Sequence, residues 1–600
     1  MSDPRAVIPE SHRDQSLPPT RGAHRRQRRL DAWPRWLGTL VASMTYLGLA
    51  AFYFRRLLGS GFASSSMCGG CYDSGQQEWF VGVPGHLIAQ GHSPFFTTLL
   101  NFPKGVNLLQ SSIAELPGLL VEPILQWVGP IGAFNAEMIL CVLGSAGAAY
   151  LALGRFAWWP PARILGGALF GFSPFIIHQN IHIFLAFSLA TPLAAIVLDE
   201  LLHRRQWNPY LLGGSGAAVL FLCYFTSAEM FVDLIIITGI ASFFYVVSNR
   251  RSTLVDGAYY LKALLTTIGL SVVALAYPIY IQVLGRQHYV GAPQSNLSSI
   301  SSDLLSPYIP TYFEWFGTHA MKVYSGTFVR GIPAEDSLYL GVPLVLLLVV
   351  TFRRRTWWVT ASLISAALLS FGPRLHVAGH ATSIPMPELL VAHLPLLSAL
   401  TPSRFSVFVF FFAAIQVAMW LDSLRRNSDR GVSARLGLRV AIICLLPLIP
   451  IPLSTAKQTV PRFFLNQPTA TIPAGSAIVA YPFPSFVHED AMIWQASSHY
   501  SFSMPGGYIY APNAVGAATL FPGASTAIGQ ELNRIYAGMP ASYSHHNLQA
   551  VRAEITSWGI RYFVSGVNEP HAATASHFIS VVLHERPRAI GGVDVWQVPR

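Results

Sequence analysis

The chain has 600 residues, about four times the usual length of one domain, yet only 11% are charged against roughly 25% in soluble proteins. With 52% apolar residues and 12% aromatics, the apolar surplus exceeds what one water-bathed core can hold, which excludes an ordinary soluble protein, a disordered chain and a fibrous repeat. The net charge of +11 would point to nucleic acid in a soluble chain, but the basic residues stand in short clusters between apolar runs and read as topology signals, so no nucleic-acid partner is expected.

A basic tail, residues 1–34, carries Arg21, Arg25, Arg26, Arg28 and Arg29 ahead of the first apolar run at 36–54. Polar residues precede that run and no small-residue cleavage site follows it, so it reads as a retained span instead of a signal peptide. Further runs, most of them of a length that crosses a bilayer as a helix, are expected at 133–154, 163–178, 182–202, 209–227, 229–248, 258–284, 337–352, 356–372, 404–422 and 440–455. Basic residues then fall in every second connection: Arg155 with Arg163, Arg204 with Arg205, Arg250 with Arg251, Arg353 to Arg355, and Arg425 to Arg439. Such loops stay cytoplasmic. The alternation holds if the segment 113–130, with Glu115, Pro117, Glu122 and Pro123, lies along or dips into the outer face without crossing. The expectation is a polytopic α-helical membrane protein of the plasma membrane, with about 11 transmembrane helices in residues 35–455. Its N-terminus is cytoplasmic and its outer pieces are 55–132, 286–336, 373–403 and everything from 456.

From 456 to 600 the character changes. Short apolar runs at Ser476 to Tyr481, Ile560 to Ser565 and Val593 to Val598 read as strands. Leu548, Val551 and Ile555 recur at helical spacing between Asn547, the expected cap, and Gly559, the expected stop. A soluble extracytoplasmic α/β domain is predicted there.

Several side chains carry candidate chemistry. Asp73 follows the first span by less than twenty residues, where a carboxylate meets lipid head groups; by spacing alone it could equally cap the next helix. Cys68 and Cys71 form a CxxC just before it, read as a local disulfide, a pair of thiols or half a metal site, while Cys141, Cys223 and Cys444 lie inside apolar runs as small hydrophobes. His178 and His182, four apart with Gln179 and Asn180 between them, suit substrate or phosphate hydrogen bonding, an interfacial structural role or a metal, although no HExxH pattern accompanies them. Glu229 and Asp233 stand one turn apart near a span end, where ionisable groups are costly; a solvated helix end is the alternative for Glu229. Arg404, after Thr401-Pro402, is placed either to grip phosphate oxygens or to snorkel to the interface. The segment Pro307 to Trp315 combines rings with Glu314 and suits a sugar acceptor or plain loop packing.

The order of these features resembles one family, the integral-membrane glycosyltransferases of the C superfold, which take sugars from polyprenyl-phosphate carriers. The resemblance lies in Asp73-x-x-Gln76-x-x-Trp79, Pro94, Pro103-x-Gly105-x-Asn107 and Asn135. It continues in Gly171-Phe172-Ser173-Pro174 with His178 and His182, in Thr401-Pro402-Ser403-Arg404, and in Met504-Pro505-Gly506-Gly507-Tyr508. Together they cover nearly the whole chain. The resemblance implies Asp73 as catalytic base, with Gln76, Glu78, His178, His182, Glu229 and Arg404 as substrate-binding candidates. Glu78 and Glu229 are candidates for the second acid found in some members, and because neither stands out, a divalent metal stays open. The implied partners are a polyprenyl-phosphate-linked sugar donor, a glycan, lipid or protein acceptor, and the bilayer. The rival readings are a glycolipid transporter or flippase, which would hold its ionisable groups near the bilayer midplane, and a non-catalytic scaffold for envelope assembly.

Overall fold

The computed structural model describes residues 34–67, 73–111, 113–250, 257–291, 299–392, 400–427, 432–465, 471–485 and 488–599. The basic tail and the Cys68 and Cys71 pair lie outside the described residues.

Among the described residues, seven helical stretches are long and apolar enough to cross a membrane: Trp36–Tyr53, Glu115–Leu153, Pro160–His178, Ile183–Arg204, Ala228–Ser248, Gly257–Leu284 and Pro402–Arg426. They make the chain a multi-pass α-helical membrane protein. The other four expected runs contain shorter helices, Pro209–Tyr224, Val342–Val350, Trp357–Ser370 and Val432–Leu445. The nine-residue helix Val342–Val350 rises only about 14 Å, well short of a hydrocarbon core about 30 Å thick.

Breaks in the long helices fall where the backbone demands them. The stretch Glu115–Leu153 is two helices joined at a kink at Gly129, whose φ of 68° and ψ of 178° suit only glycine. On its first half Leu119, Leu120, Ile124 and Trp127 are exposed, the pattern of a helix face turned to lipid. Ser173 interrupts the third stretch, capping the next turn by accepting from the Ile176 N–H ahead of Pro174. The run expected as one span at 182–202 is a short helix Ile183–Ala186 followed by Ala190–Asp199 and a wider turn Glu200–Arg204. Pro192 fits within the first turn of the second piece, where its missing N–H is harmless.

After the helix Val432–Leu445 the chain forms a five-stranded sheet in the order Arg588–Ile590, Val593–Gln597, Tyr562–Gly566, Ser476–Tyr481, Phe502–Ser503. The two pairings made by Ser476–Tyr481 are parallel, the others antiparallel. The cap of the helix His545–Trp558 is Ser544 and not the expected Asn547. The Ser544 hydroxyl accepts from the Asn547 backbone N–H, so Asn547 sits inside the first turn.

Alternation along the central strand explains how the sheet is covered. Ala477, Val479 and Tyr481 face a cluster with Ile528, Leu532, Val551 and Phe578 from the domain's own helices. Ile478 and Ala480 face the opposite way, into a cluster with Trp79, Phe80, Val83, Leu87 and Leu100 of the long connection after the first helix, the expected first outer loop. A sheet with parallel strands needs both faces covered, and here that connection supplies the second cover. Backbone hydrogen bonds join the two pieces as well: Ser65–Met67 pairs antiparallel with Thr455–Lys457, and Phe102 and Met504 bond through Met504 O and Leu99 O. The outer loop and the C-terminal region therefore share one core.

Candidate active site

Asp73 is the N-cap residue of the short helix Ser74–Phe80, but its side chain makes no cap hydrogen bond. The carboxylate turns outward instead. Its Oδ1 accepts from the Tyr508 hydroxyl at 2.5 Å, and its Oδ2 lies 3.1 Å from His182 Nε2, with 26% of the side chain still exposed. Gln179 sets the ring's other side: its Nε2 donates to Ala334 O at 3.0 Å, so Oε1 faces His182 Nδ1 at 2.7 Å. An amide oxygen only accepts, so Nδ1 carries a hydrogen and Nε2 is the ring nitrogen turned to Asp73. Burial pushes the Asp73 carboxyl up, but the hydrogen bond and charge of His182, together with the Tyr508 hydrogen bond, hold it below its ordinary value.

A second acid approaches from the C-terminal region. Glu489 Oε2 accepts from the Gln76 backbone N–H at 3.0 Å, and burial first, then the negative charge of Asp73, raise its carboxyl well above the ordinary value. Gly75 makes the approach feasible, because a Cβ there would stand 2.5 Å from the Glu489 carboxylate. Gln76 ties the same two pieces together, its Nε2 donating to Tyr508 O at 2.7 Å.

Beyond His182 the polar chain continues toward the end of a membrane helix. His182 interacts electrostatically with Glu335, whose Oε1 accepts from Arg404 Nη2 at 2.9 Å and whose Oε2 accepts from the Ser403 hydroxyl at 2.9 Å. Burial opposes ionisation of Glu335, but the Arg404 charge and hydrogen bond hold its carboxyl below the usual range. Arg404 Nη1 pairs with Glu229, which also accepts from the Thr401 backbone N–H at 2.8 Å. Both terminal nitrogens of Arg404 thus have carboxylate partners, and Nε is buried without one among the described residues. Two carboxylates cancel most of the field of one guanidinium, so Arg404 does not present a bare cation as its sequence position suggested.

The remaining candidates lie elsewhere. His178 Nε2 is 2.6 Å from Glu314 Oε1, both side chains are buried, and the ring stacks on Phe313 at 4.4 Å. Glu314 also accepts from the Thr311 N–H and hydroxyl. His178 therefore faces the Pro307 to Trp315 segment, while His182 faces Asp73. Glu78 is fully buried against the Ser66 hydroxyl, and burial pushes its carboxyl up to about 8, with Ser66 opposing and Asp490 adding to the rise. Among the described residues no three His, Cys, Asp or Glu side chains converge to hold a metal ion. Both Asp73 oxygens are already engaged.

Glu335 and Glu489 are absent from the sequence-level candidates. Glu335 sits in a Pro-Ala-Glu-Asp stretch with no periodicity, and Glu489 in a domain whose strands gave no reason to single out one acid; the order of motifs already contained Tyr508 but not its contact.

No family model and no curated protein matches the chain. Among solved structures it is similar to the arabinofuranosyltransferase AftD from mycobacteria, at 12% identity and a TM-score of 0.48 over 95% of this chain and 42% of that one. It is similar to the oligosaccharyltransferase of Archaeoglobus fulgidus, at 10% identity and a TM-score of 0.46 over 92% of this chain and 69% of that one. It is also similar to ArnT from Cupriavidus metallidurans bound to undecaprenyl phosphate, at 10% identity and a TM-score of 0.44 over 93% and 98%. These similar structures are glycosyltransferases of the C superfold, the family that the sequence resembles. The chain spans less than half the length of AftD. At such identities and scores, function has to be argued from this chain's own residues.

Proposed function

We propose that the chain is a membrane glycosyltransferase that moves a sugar from a polyprenyl-phosphate donor to a cell-envelope acceptor on the non-cytoplasmic side, with Asp73 as general base. In this reading the N-terminus is cytoplasmic and the domain from 456 to 600 lies outside. The observation that carries the proposal is the Asp73 carboxylate itself. It is ionised, clamped on both oxygens, still open to solvent, and linked through His182 to the carboxylate and guanidinium cluster at the end of the helix that begins near Arg404.

The chemistry follows from that arrangement. The acceptor hydroxyl gives its proton to the Asp73 carboxylate as its oxygen bonds to the anomeric carbon; the bond from that carbon to the phosphate oxygen breaks, and polyprenyl phosphate leaves with the electron pair. The donor phosphate takes the place of one carboxylate on Arg404, whose planar fork suits both oxyanions. Burial and the charge of Asp73 raise the Glu489 carboxyl, which favours its neutral form and works against a second negative charge in the site. The Asp73-to-Asn variant tests this with purified protein and a defined lipid-linked sugar. Transfer should fall about 10²- to 10⁴-fold, the usual worth of a positioned base, while thermal stability is kept. Transfer at the wild-type rate would remove Asp73 as the base and return the flippase and scaffold readings.

A further inference from the structure

The helix Ser406–Asn427 begins beside Arg404 and ends at the opposite membrane face, about 33 Å away for 22 residues. That far end is built differently. Arg353, Arg354, Arg355 and Arg426 line one cavity of about 460 Å³ together with Asp422 and Phe156. Arg426 pairs with Asp422 at 2.7 Å, and Asp422 also accepts from the Trp158 and Trp159 backbone N–H groups at 2.9 Å. The side chains of Arg353, Arg354 and Arg355 have no hydrogen bond or ion pair among the described residues, so the cavity keeps a strong excess of positive charge.

A narrower, mainly apolar groove of about 60 Å³, which Asp199 also lines, adjoins this basic mouth on its membrane side. Phe156 lines both. Along the helix, Met419, Asp422, Ser423 and Arg426 line the mouth, and Phe408, Phe411, Phe412 and Ile415 line the groove. They recur every three or four residues, so mouth and groove form one stripe on one helix face. A charged opening joined to an apolar groove matches a molecule with an anionic head and a hydrocarbon tail. A water-soluble phosphate has no use for the groove, and a zwitterionic lipid has no use for the excess positive charge of the mouth.

We infer that this stripe is a binding site for one anionic phospholipid, its phosphate in the Arg353 to Arg355 mouth and an acyl chain in the groove, at the membrane face opposite Asp73. The site is independent of sugar transfer. Short basic loops already favour this face of a bilayer, and basic pockets between membrane helices are where anionic head groups settle. Each basic side chain close to such lipids is worth about 1 kcal/mol, about five-fold in affinity, so three together are worth roughly 100-fold.

Native mass spectrometry of the full chain in detergent, titrated with phosphatidylglycerol or phosphatidylcholine, measures this. One phosphatidylglycerol should bind well above the level of phosphatidylcholine. R353Q/R354Q/R355Q should lose that preference by roughly 100-fold, while R353K/R354K/R355K keeps it within about five-fold. Ala195→Phe, which plugs the groove, should weaken long-chain phosphatidylglycerol and leave a short-chain form unchanged. Equal binding of the two lipids by the wild type overturns the inference. So does full affinity in a normally melting glutamine variant, or displacement of the lipid by micromolar glycerol phosphate, which would mark a soluble-phosphate site. Should the glutamine variant fail to fold, the lysine and Ala195 variants still decide the matter.

Discussion

Asp73 and Glu489 are two neighbouring carboxyls shifted in opposite directions, and pH tells them apart. Asp73 lies below its ordinary value of 3.8, so what it contributes to stability is present above that value and is lost only as pH falls through its lower folded value. Sugar transfer should therefore show no acid limb from this group between pH 5 and 8; a rate that halves near pH 6 on account of Asp73 would contradict the assignment. Glu489 behaves in reverse. Its folded value stands well above the ordinary 4.5, so its contribution is present at low pH and disappears as pH rises through that value. Glu489→Gln keeps an oxygen for the Gln76 N–H but cannot ionise. Melting curves should show the variant gaining on the wild type by a few degrees as pH rises from 5 to 9, and parallel curves would mean that Glu489 is not held neutral.

At the scale of elements, Gly129 decides where a lipid-facing helix ends and a crossing helix begins. A Cβ at Gly129 would meet nothing within 4 Å, so substitution there costs backbone strain alone. Gly129→Ala should lower stability by about 1–3 kcal/mol, measured by thermal or denaturant unfolding in detergent, because its φ and ψ are open essentially only to glycine. An unchanged midpoint would show that the kink relaxes into a continuous helix. The kink was readable in part: Glu115, Pro117, Glu122 and Pro123 argued against a crossing segment, and Pro130 directly after Gly129 is a breaker signal, although Gly129 itself was not singled out. The strand positions were legible for the same kind of local reason, since Ser476–Tyr481 and Val593–Gln597 are short apolar runs bounded by breakers. The cap at Ser544 was missed by three residues because Asn547 is also a good capping residue, and the choice between them rests on which side chain reaches a free N–H.

The whole molecule is held together around Trp79 by a core that neither piece owns. Trp79 is fully buried and its Nε1 donates to Gln495 Oε1 at 2.6 Å, while the Tyr500 hydroxyl donates to Trp79 O at 2.8 Å. Removing residues 458–600 should leave the first outer loop open to protease, and Trp79→Ala in the full chain should cost about 3–5 kcal/mol in unfolding measurements. A truncated chain whose loop resists digestion would mean that the loop folds alone. Apolar run lengths, basic clusters and charge poverty were enough to specify a multi-pass protein, and short apolar runs to place strands late in the chain, because burial in lipid and strand formation leave periodic marks in neighbouring residues; Asp73 came forward only through the resemblance in the order of motifs. The company that Asp73 keeps left no such mark. Tyr508 and Glu489 come from more than 400 positions away, and His182 from the turn between two helices, and their convergence arises from the way the outer loop covers one face of the sheet. Contacts at that separation obey shape and charge in three dimensions and have no period along the chain.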